Sequence, residues 1–248
     1  MVNKATRSPT EGKRSRPFVI AIDGPAGAGK STVARLLAQR LGFFLLDSGA
    51  LYRVLALHLL RQGIVPDTGS VDEAVLHSMD LRIEPHVASM RLYLSGEDVT
   101  DFIREERIGL AASKFSTLKQ VRKRLLELQR SLGEEWNLVA EGRDMGTVVF
   151  PQAHVKFFLT ADLDERARRR HQELVERGEA ADQPQVRREM EARDRRDETR
   201  AESPLVRAPD ATHIDTTVLT PEQVLQTMVE RVEKCIRKAA APNKSDER

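Results

Sequence analysis

The sequence has little cysteine, little net charge and no long apolar run, and each shortage narrows what the chain can be. A single cysteine in 248 residues, Cys235, excludes a disulfide within the chain, and no Cys/His cluster has zinc-ligand spacing. A reducing, cytoplasmic compartment is expected. Cys235 follows Leu225, Met228 and Val232 at helical spacing, so it reads as a packing residue rather than a reactive thiol. No span approaches the roughly 20 apolar residues of a membrane helix, so no membrane partner is expected. The formal net charge is only +2, from 40 Lys plus Arg against 38 Asp plus Glu, and no global basic field recommends nucleic acid as a partner. The opening MVNKATRSPTEGKRSR is basic but lacks the apolar stretch of a signal peptide. It reads as a disordered leader over residues 1–16, with a flexible tail over residues 239–248 at the other end. There is no internal repeat and no low-complexity tract apart from these tails.

What is present is enough apolar residue, 40%, to build a substantial core. Short apolar runs alternate with longer helical patterns: FVIAI at residues 18–22, FFLL at 43–46, LVAE at 138–141, VKFFL at 155–159 and the weaker HIDT at 213–216. Strands linked by helical crossovers predict an α/β fold with a five-stranded parallel sheet. Residues 31–41 carry Val33, Leu36, Leu37 and Leu41 on one helical stripe, and Pro221 opens the last helix where a missing N–H costs nothing.

Two stretches break the alternation. Residues 81–100, LRIEPHVASMRLYLSGEDVT, show period-two patches and a Ser-Gly turn, which predicts a small antiparallel β insert that touches substrate. Residues 162–200 hold 11 arginines, 12 acidic residues and no lysine. Most of these charges read as a solvated helical face laced with ion pairs. Lysine would serve that purpose equally well, so the exclusive use of the planar, bidentate cation points to phosphate clamps among them.

Gly24, Pro25, Ala26, Gly27, Ala28, Gly29, Lys30 and Ser31 fit G-x-x-x-x-G-K-[ST], after a predicted strand and at the start of a predicted helix. The glycines let successive N–H groups face anionic oxygens, and the helix dipole adds to the attraction. Lys30 is expected to reach the β- and γ-phosphates of ATP, and the Ser31 hydroxyl to ligate Mg2+. With Thr32 these residues form the candidate ATP site. A dinucleotide loop is excluded, because Gly27-x-Gly29 is followed by Thr32 where a third glycine is needed.

Polar clusters follow two other strands. Asp47, Ser48 and Arg53 come after the second, and Arg143 and Asp144 after the third, where open α/β sheets place ligands. Ser48 also suits a helix N-cap. Arg193, Asp197 and Arg200 stand at i, i+4 and i+7 on one helical face, which read alone is an ion-pair ladder. With GPAGAGKST at residues 24–32, LLDSGALYRVLAL at 45–57, GEDVT at 96–100, EGRDMGTVVFP at 141–151 and RDRRDETR at 193–200, the chain resembles the bacterial cytidylate kinases over residues 18–238.

The resemblance implies transfer of the ATP γ-phosphoryl group to CMP or dCMP in pyrimidine nucleotide metabolism. It implies contacts from Arg53 and Arg143 to the acceptor's phosphate, and Ser48, Ser113, Arg122 and Asp144 around cytosine with Arg200 close by. Arg193 and Asp197 would hold the pentose, with Arg193 also assisting the phosphate. Lys30, Arg143 and Arg193 are then the expected catalytic groups. Arg166 and Arg170 are the expected lid contacts to ATP, with Arg168 and Arg169 as neighbouring candidates. The implied organisation is a phosphate-loop core from residues 17–62, 114–161 and 201–238, an acceptor-binding insert over 63–113 and an Arg-rich helical lid over 162–200. The expected partners are ATP and CMP or dCMP, with a monomeric chain.

A phosphate monoester has a second pKa of about 6, so the acceptor needs no strong general base, and arginines suffice to bring two anions together. Asp144 as a magnesium or base carboxylate is the alternative role for that residue. Kinases for another small acceptor and a non-catalytic nucleotide switch are the rival functions.

Overall fold

β1 (Val19–Asp23) runs into the glycine loop and α1 (Lys30–Leu41), and β2 (Phe44–Asp47) into α2 (Ser48–Arg61) and the short α3 (Glu73–His77). Next come β3 (Leu81–His86), β4 (Ser89–Leu94) and β5 (Glu97–Asp98), then α4 (Glu106–Phe115) and α5 (Lys119–Glu135). β6 (Leu138–Gly142) leads to a π-type turn, Met145–Val149, and β7 (Val155–Thr160) to α6 (Leu163–Glu176) and α7 (Gln183–Thr199). β8 (Thr212–Asp215) and α8 (Pro221–Ala240) complete the chain described by this computed structural model, which covers residues 17–66 and 69–240. The expected leader, residues 1–16, lies outside the described residues, as does the tail beyond residue 240. Helix α8 itself runs two residues into the expected tail.

The large sheet has the order β2-β6-β1-β7-β8, with every pairing parallel. All five residues of β1 and of β6 are buried, which is why these strands read as continuous apolar runs. Alternate side chains feed two cores. Ile20 and Ile22 join α1 and α8 on one face, while Val19 and Ala21 join α2, α4 and α5 on the other.

β3, β4 and β5 form the expected small antiparallel sheet. Leu81, Met90, Leu92 and Leu94 share the core of α2 and α5, and a bridge from Val87 to Phe44 ties the insert to β2. Helices α6 and α7 pack a third, small core from Ala167, Leu174, Val186 and Met190, against which Ala26 of the glycine loop rests. The Arg-rich segment is thus a helical hairpin seated on that loop.

Local signals account for most element ends. Gly42 closes α1 in the left-handed region, donating its N–H to Ala38 and Gln39 carbonyls. Helix α2 corrects the sequence reading. Its N-cap is Asp47, whose carboxylate accepts the Ala50 N–H at 2.9 Å, and Ser48 is the first helical residue. Both residue types cap well, so the choice depended on where β2 ended. Among the described residues no helix is long and apolar enough to cross a membrane.

Candidate active site

Register brings the carboxyl ends of the strands to one edge. Asp47 pairs with Glu141, and Asp23 with Gly142 and Phe158, so the residues after β1, β2 and β6 emerge side by side. The glycine loop leaves this edge against β7. A Cβ on Gly24, whose φ is 146°, would overlap the Leu159 carbonyl, and one on Gly27 would lie 2.8 Å from Met190 Cε. Only glycine lets the loop fit between sheet and lid.

Lys30 is buried and donates from Nζ to the Pro25 carbonyl at 2.6 Å, so it lies folded back along its own loop. Burial, then the nearby guanidinium of Arg143, pushes its ammonium down from the usual lysine range. The Ser31 hydroxyl donates to Glu141 Oε2 at 2.9 Å, while Glu141 Oε1 is buried with no hydrogen-bond partner among the described residues. Burial, then the Asp47 carboxylate, pushes Glu141 above the usual carboxylate range. Among the described residues, no group of three or more His, Cys, Asp or Glu could hold a metal ion.

The acceptor candidates line one cleft. Helix α2 supplies Ser48, Tyr52 and Arg53, α4 supplies Ser113, α5 supplies Arg122, and the end of β6 supplies Arg143 and Asp144. Arg193 and Asp197 enter from α7, and Arg200 from just past its end, where the backbone has already turned extended. All nine sequence-derived acceptor residues therefore meet, although they span 152 positions from Ser48 to Arg200.

The cleft divides into two ends. At one, Arg122 is ion-paired with Asp144, donates to the Ser116 carbonyl at 3.2 Å and lies 5.5 Å over the Tyr52 ring. Arg200 approaches the other Asp144 oxygen at 4.0 Å. Ser48 and Ser113 are buried here, and the Ser113 hydroxyl accepts from Arg196 at 3.5 Å. At the other end Arg143 donates from Nε to Asp197 at 2.9 Å, and Arg200 approaches the second Asp197 oxygen at 3.5 Å. Burial disfavours the Asp197 charge, yet the guanidiniums of Arg143, Arg193 and Arg200 hold its carboxyl below the usual range. Arg53 donates to the carbonyls of Ile103 and Glu105 and packs on Gly109, where any side chain would strike its guanidinium.

Arg143 has Asp197 as its anion, whereas the other cations at this second end are held at a cost. Burial, then repulsion from Arg143, pushes Arg193 down to about 10, and its buried Nε has no partner among the described residues. Burial and Arg104 lower Arg53 as well. Lys30, Arg53, Arg143 and Arg193 come from four separate elements and repel one another across a polar cleft. Such a site is charged in advance for phosphate.

The lid arginines divide their tasks. Arg166 is buried and donates to the Ala161 carbonyl at 2.8 Å and to the Ala26 carbonyl of the glycine loop at 3.1 Å, with Asp194 as its ion partner. Arg170 bridges the lid to Glu106 on α4 and to Glu173. Arg168 pairs with Glu165 on the solvent side. Arg169 reaches the Thr216 carbonyl at 2.6 Å and approaches Gly29, while Thr216 donates to the Ala28 carbonyl. Many of the remaining charges form the intrahelical pairs that sequence reasoning anticipated, such as Arg177 with Glu173.

Sequence reasoning gave no role to Glu141, Asp23 or Tyr52, and left Arg169 as one of four lid candidates. The first two had a signal, since both are carboxylates at the end of a buried parallel strand. No residue of β3, β4 or β5 is among those lining the cleft.

A family model described as cytidylate kinase matches residues 20–234. Over 221 residues the chain is 45% identical to a cytidylate kinase of Citrifermentans bemidjiense, covering 89% of this chain and 95% of that protein. It is 48% identical over 215 residues to one of Pelotomaculum thermopropionicum, covering 86% and 95% respectively. It is 47% identical over 219 residues to one of Azotobacter vinelandii, covering 88% and 96%.

Proposed function

The chain belongs to the cytidylate kinase family, and from that premise we propose that it transfers the γ-phosphoryl group of ATP to CMP or dCMP, giving ADP and CDP or dCDP. The observation that carries the reading is the gathering of Lys30, Arg53, Arg143 and Arg193 beside the phosphate loop, of which Lys30, Arg53 and Arg193 are held as cations against burial and the repulsion of neighbouring guanidiniums. Two phosphate-bearing substrates meeting there in line would supply the anions.

The glycine loop from Gly24 to Thr32 takes the donor's phosphates on its N–H groups, and Lys30 swings from the Pro25 carbonyl onto the β- and γ-oxygens. Arg53 and Arg143 hold the acceptor phosphate, and Arg193 stands between the two anions. The transition state is loose and its charge is spread over equatorial oxygens, so orientation and cationic stabilisation do the chemistry. The acceptor phosphate is already largely dianionic at neutral pH, and no side chain need remove a proton from it. Arg166 holds the loop from the lid side, and Arg170, with Arg169 beside it, closes over the donor. Closure excludes the water that would otherwise hydrolyse ATP.

Mg2+ fits the loop. Ser31 would hold it, and the unpartnered Glu141 oxygen beside the Ser31 hydroxyl is placed to accept from a water on the ion. When bound, the ion neutralises charge on the β- and γ-phosphates.

Cytosine presents an amino donor beside ring acceptors. Ser48, Ser113 and Asp144 offer oxygens to the first, and Arg122 offers its guanidinium to the second. Uracil reverses part of that pattern, and a mismatched buried polar group is costly. Asp144 is committed to Arg122 at this end of the cleft, which disfavours the alternative of a base or magnesium carboxylate. Asp197 and Arg193 take the pentose. One chain supplies every residue named, so we assign activity to the monomer, in the cytoplasm where nucleoside monophosphates and ATP occur together.

Arg122→Met tests the base pocket. The KM for CMP is expected to rise at least about tenfold, the loss of one charge-assisted hydrogen bond, with the KM for ATP within about twofold of the unaltered enzyme. An equal rise for both substrates removes Arg122 from the cytosine site.

A further inference from the structure

Asp23 is the last residue of β1 and stands directly before Gly24, yet no step of the reaction above uses it. Its side chain is buried, and its two oxygens accept the backbone N–H groups of Met145 and Gly146, each at 2.7 Å. Those N–H groups open the π-type turn that follows Arg143 and Asp144. On the other side of the same dipeptide, Gly142 is the parallel-sheet partner of Asp23. One residue therefore grips the Arg143-Asp144 segment at both ends, by its backbone register before it and its carboxylate after it.

We propose that Asp23 is a positioning residue for the acceptor: it locks the peptide carrying Arg143 and Asp144 to the strand that launches the phosphate loop. The distance between donor and acceptor is then set by one rigid joint. The inference rests on the acceptor reading of the cleft.

Three features support a dedicated joint over an incidental strand end. A carboxylate sits where burial opposes it: burial above all, with Asp144 adding, raises the Asp23 carboxyl to about 6 even against the pull of the Gly146 and Met145 N–H groups and of Lys30. Bonds to an ionised acceptor are about twice as strong as neutral ones, which suits a contact that must not slip. The contact is also closely fitted, since a Cβ on Gly146 would lie 3.3 Å from Asp23 Oδ2 and 3.1 Å from Lys156 Cδ.

Asp23→Asn keeps the shape and one acceptor oxygen but turns an NH2 toward one of the two N–H groups. Binding of CMP and of a non-hydrolysable ATP analogue to the full chain is measured by calorimetry, at a temperature where circular dichroism shows both proteins folded. CMP is expected to bind about tenfold more weakly, the equivalent of one lost charge-assisted hydrogen bond. The ATP analogue is expected to bind as well or better, because a negative charge near Lys30 is gone. Should this variant fail to fold, Gly146→Ala presses the same contact from its other side, and Gly146 is outside the left-handed region that would forbid a side chain. It is expected to weaken CMP about threefold with the same selectivity. Equal losses for both ligands, or unchanged CMP binding, overturn the inference. If the unaltered protein binds the ATP analogue but not CMP, the acceptor reading falls and the inference with it.

Discussion

Replacing Lys30 with methionine is expected to leave the protein folded and to cut the rate of phosphoryl transfer by on the order of 10³ or more. The two halves of that expectation come from the same geometry. The ammonium is buried among Arg143 and Arg193, and burial lowers its pKa, so in the absence of nucleotide the charge is held at a cost. Methionine fills a similar volume without it, and the main loss to the fold is one hydrogen bond to the Pro25 carbonyl. In the complex the balance reverses. The β- and γ-phosphates supply the anions that the ammonium lacks, and no other lysine lies in the loop to replace it. Single-turnover measurement with saturating ATP and CMP reads the rate directly, and thermal unfolding reads the fold. Activity within about tenfold of the unaltered enzyme contradicts the role given to Lys30.

Arg193→Met is expected to lower kcat by on the order of 10³, by analogy with arginines that touch a transferring phosphoryl group. Arg193 has a buried Nε without a partner among the described residues and, unlike Arg143 with its Asp197, is pushed down to about 10 by burial and Arg143. Its removal relieves repulsion from Arg143 and Arg53, and Asp197 keeps both Arg143 and Arg200. The melting temperature is therefore expected to hold or rise while activity collapses. A merely structural arginine gives the opposite pair: a lower melting temperature with kcat preserved in the surviving folded protein. A rise in the KM for CMP with kcat unchanged restricts Arg193 to ground-state binding of the acceptor.

Much of this architecture was legible because its signals are local. Five apolar runs gave five parallel strands, each within about one residue, since a strand buried on both faces must be apolar throughout. The glycine loop was legible from spacing, because Gly24 and Gly27 answer close approaches of sheet and lid and Gly29 takes a left-handed φ of 82° just before α1. What local pattern could not supply was pairing across the chain. The bond from Met145 to Asp23 joins residues 122 apart, and no periodicity links them. The lid shows the same limit at short range. At about 100° per residue Arg168, Arg169 and Arg170 point in different directions around one helix, with Arg166 on roughly the face of Arg170, so which of them faces the loop is decided by how the hairpin docks. Docking places Arg166 on the Ala26 carbonyl and Arg169 beside Gly29, a division that composition alone does not contain.

The acceptor itself tests the account most directly. ADP release is measured with ATP and Mg2+ against CMP, dCMP, UMP, AMP, GMP and shikimate in turn. The arrangement of Arg122, Asp144, Ser48 and Ser113 at one end of the cleft, and of the phosphate-seeking cations at the other, calls for fast turnover with CMP or dCMP. The remaining acceptors should give slow or no turnover. Fast turnover with UMP or AMP and none with CMP contradicts the assignment of the base pocket, and release of ADP that no acceptor stimulates contradicts the kinase reading itself.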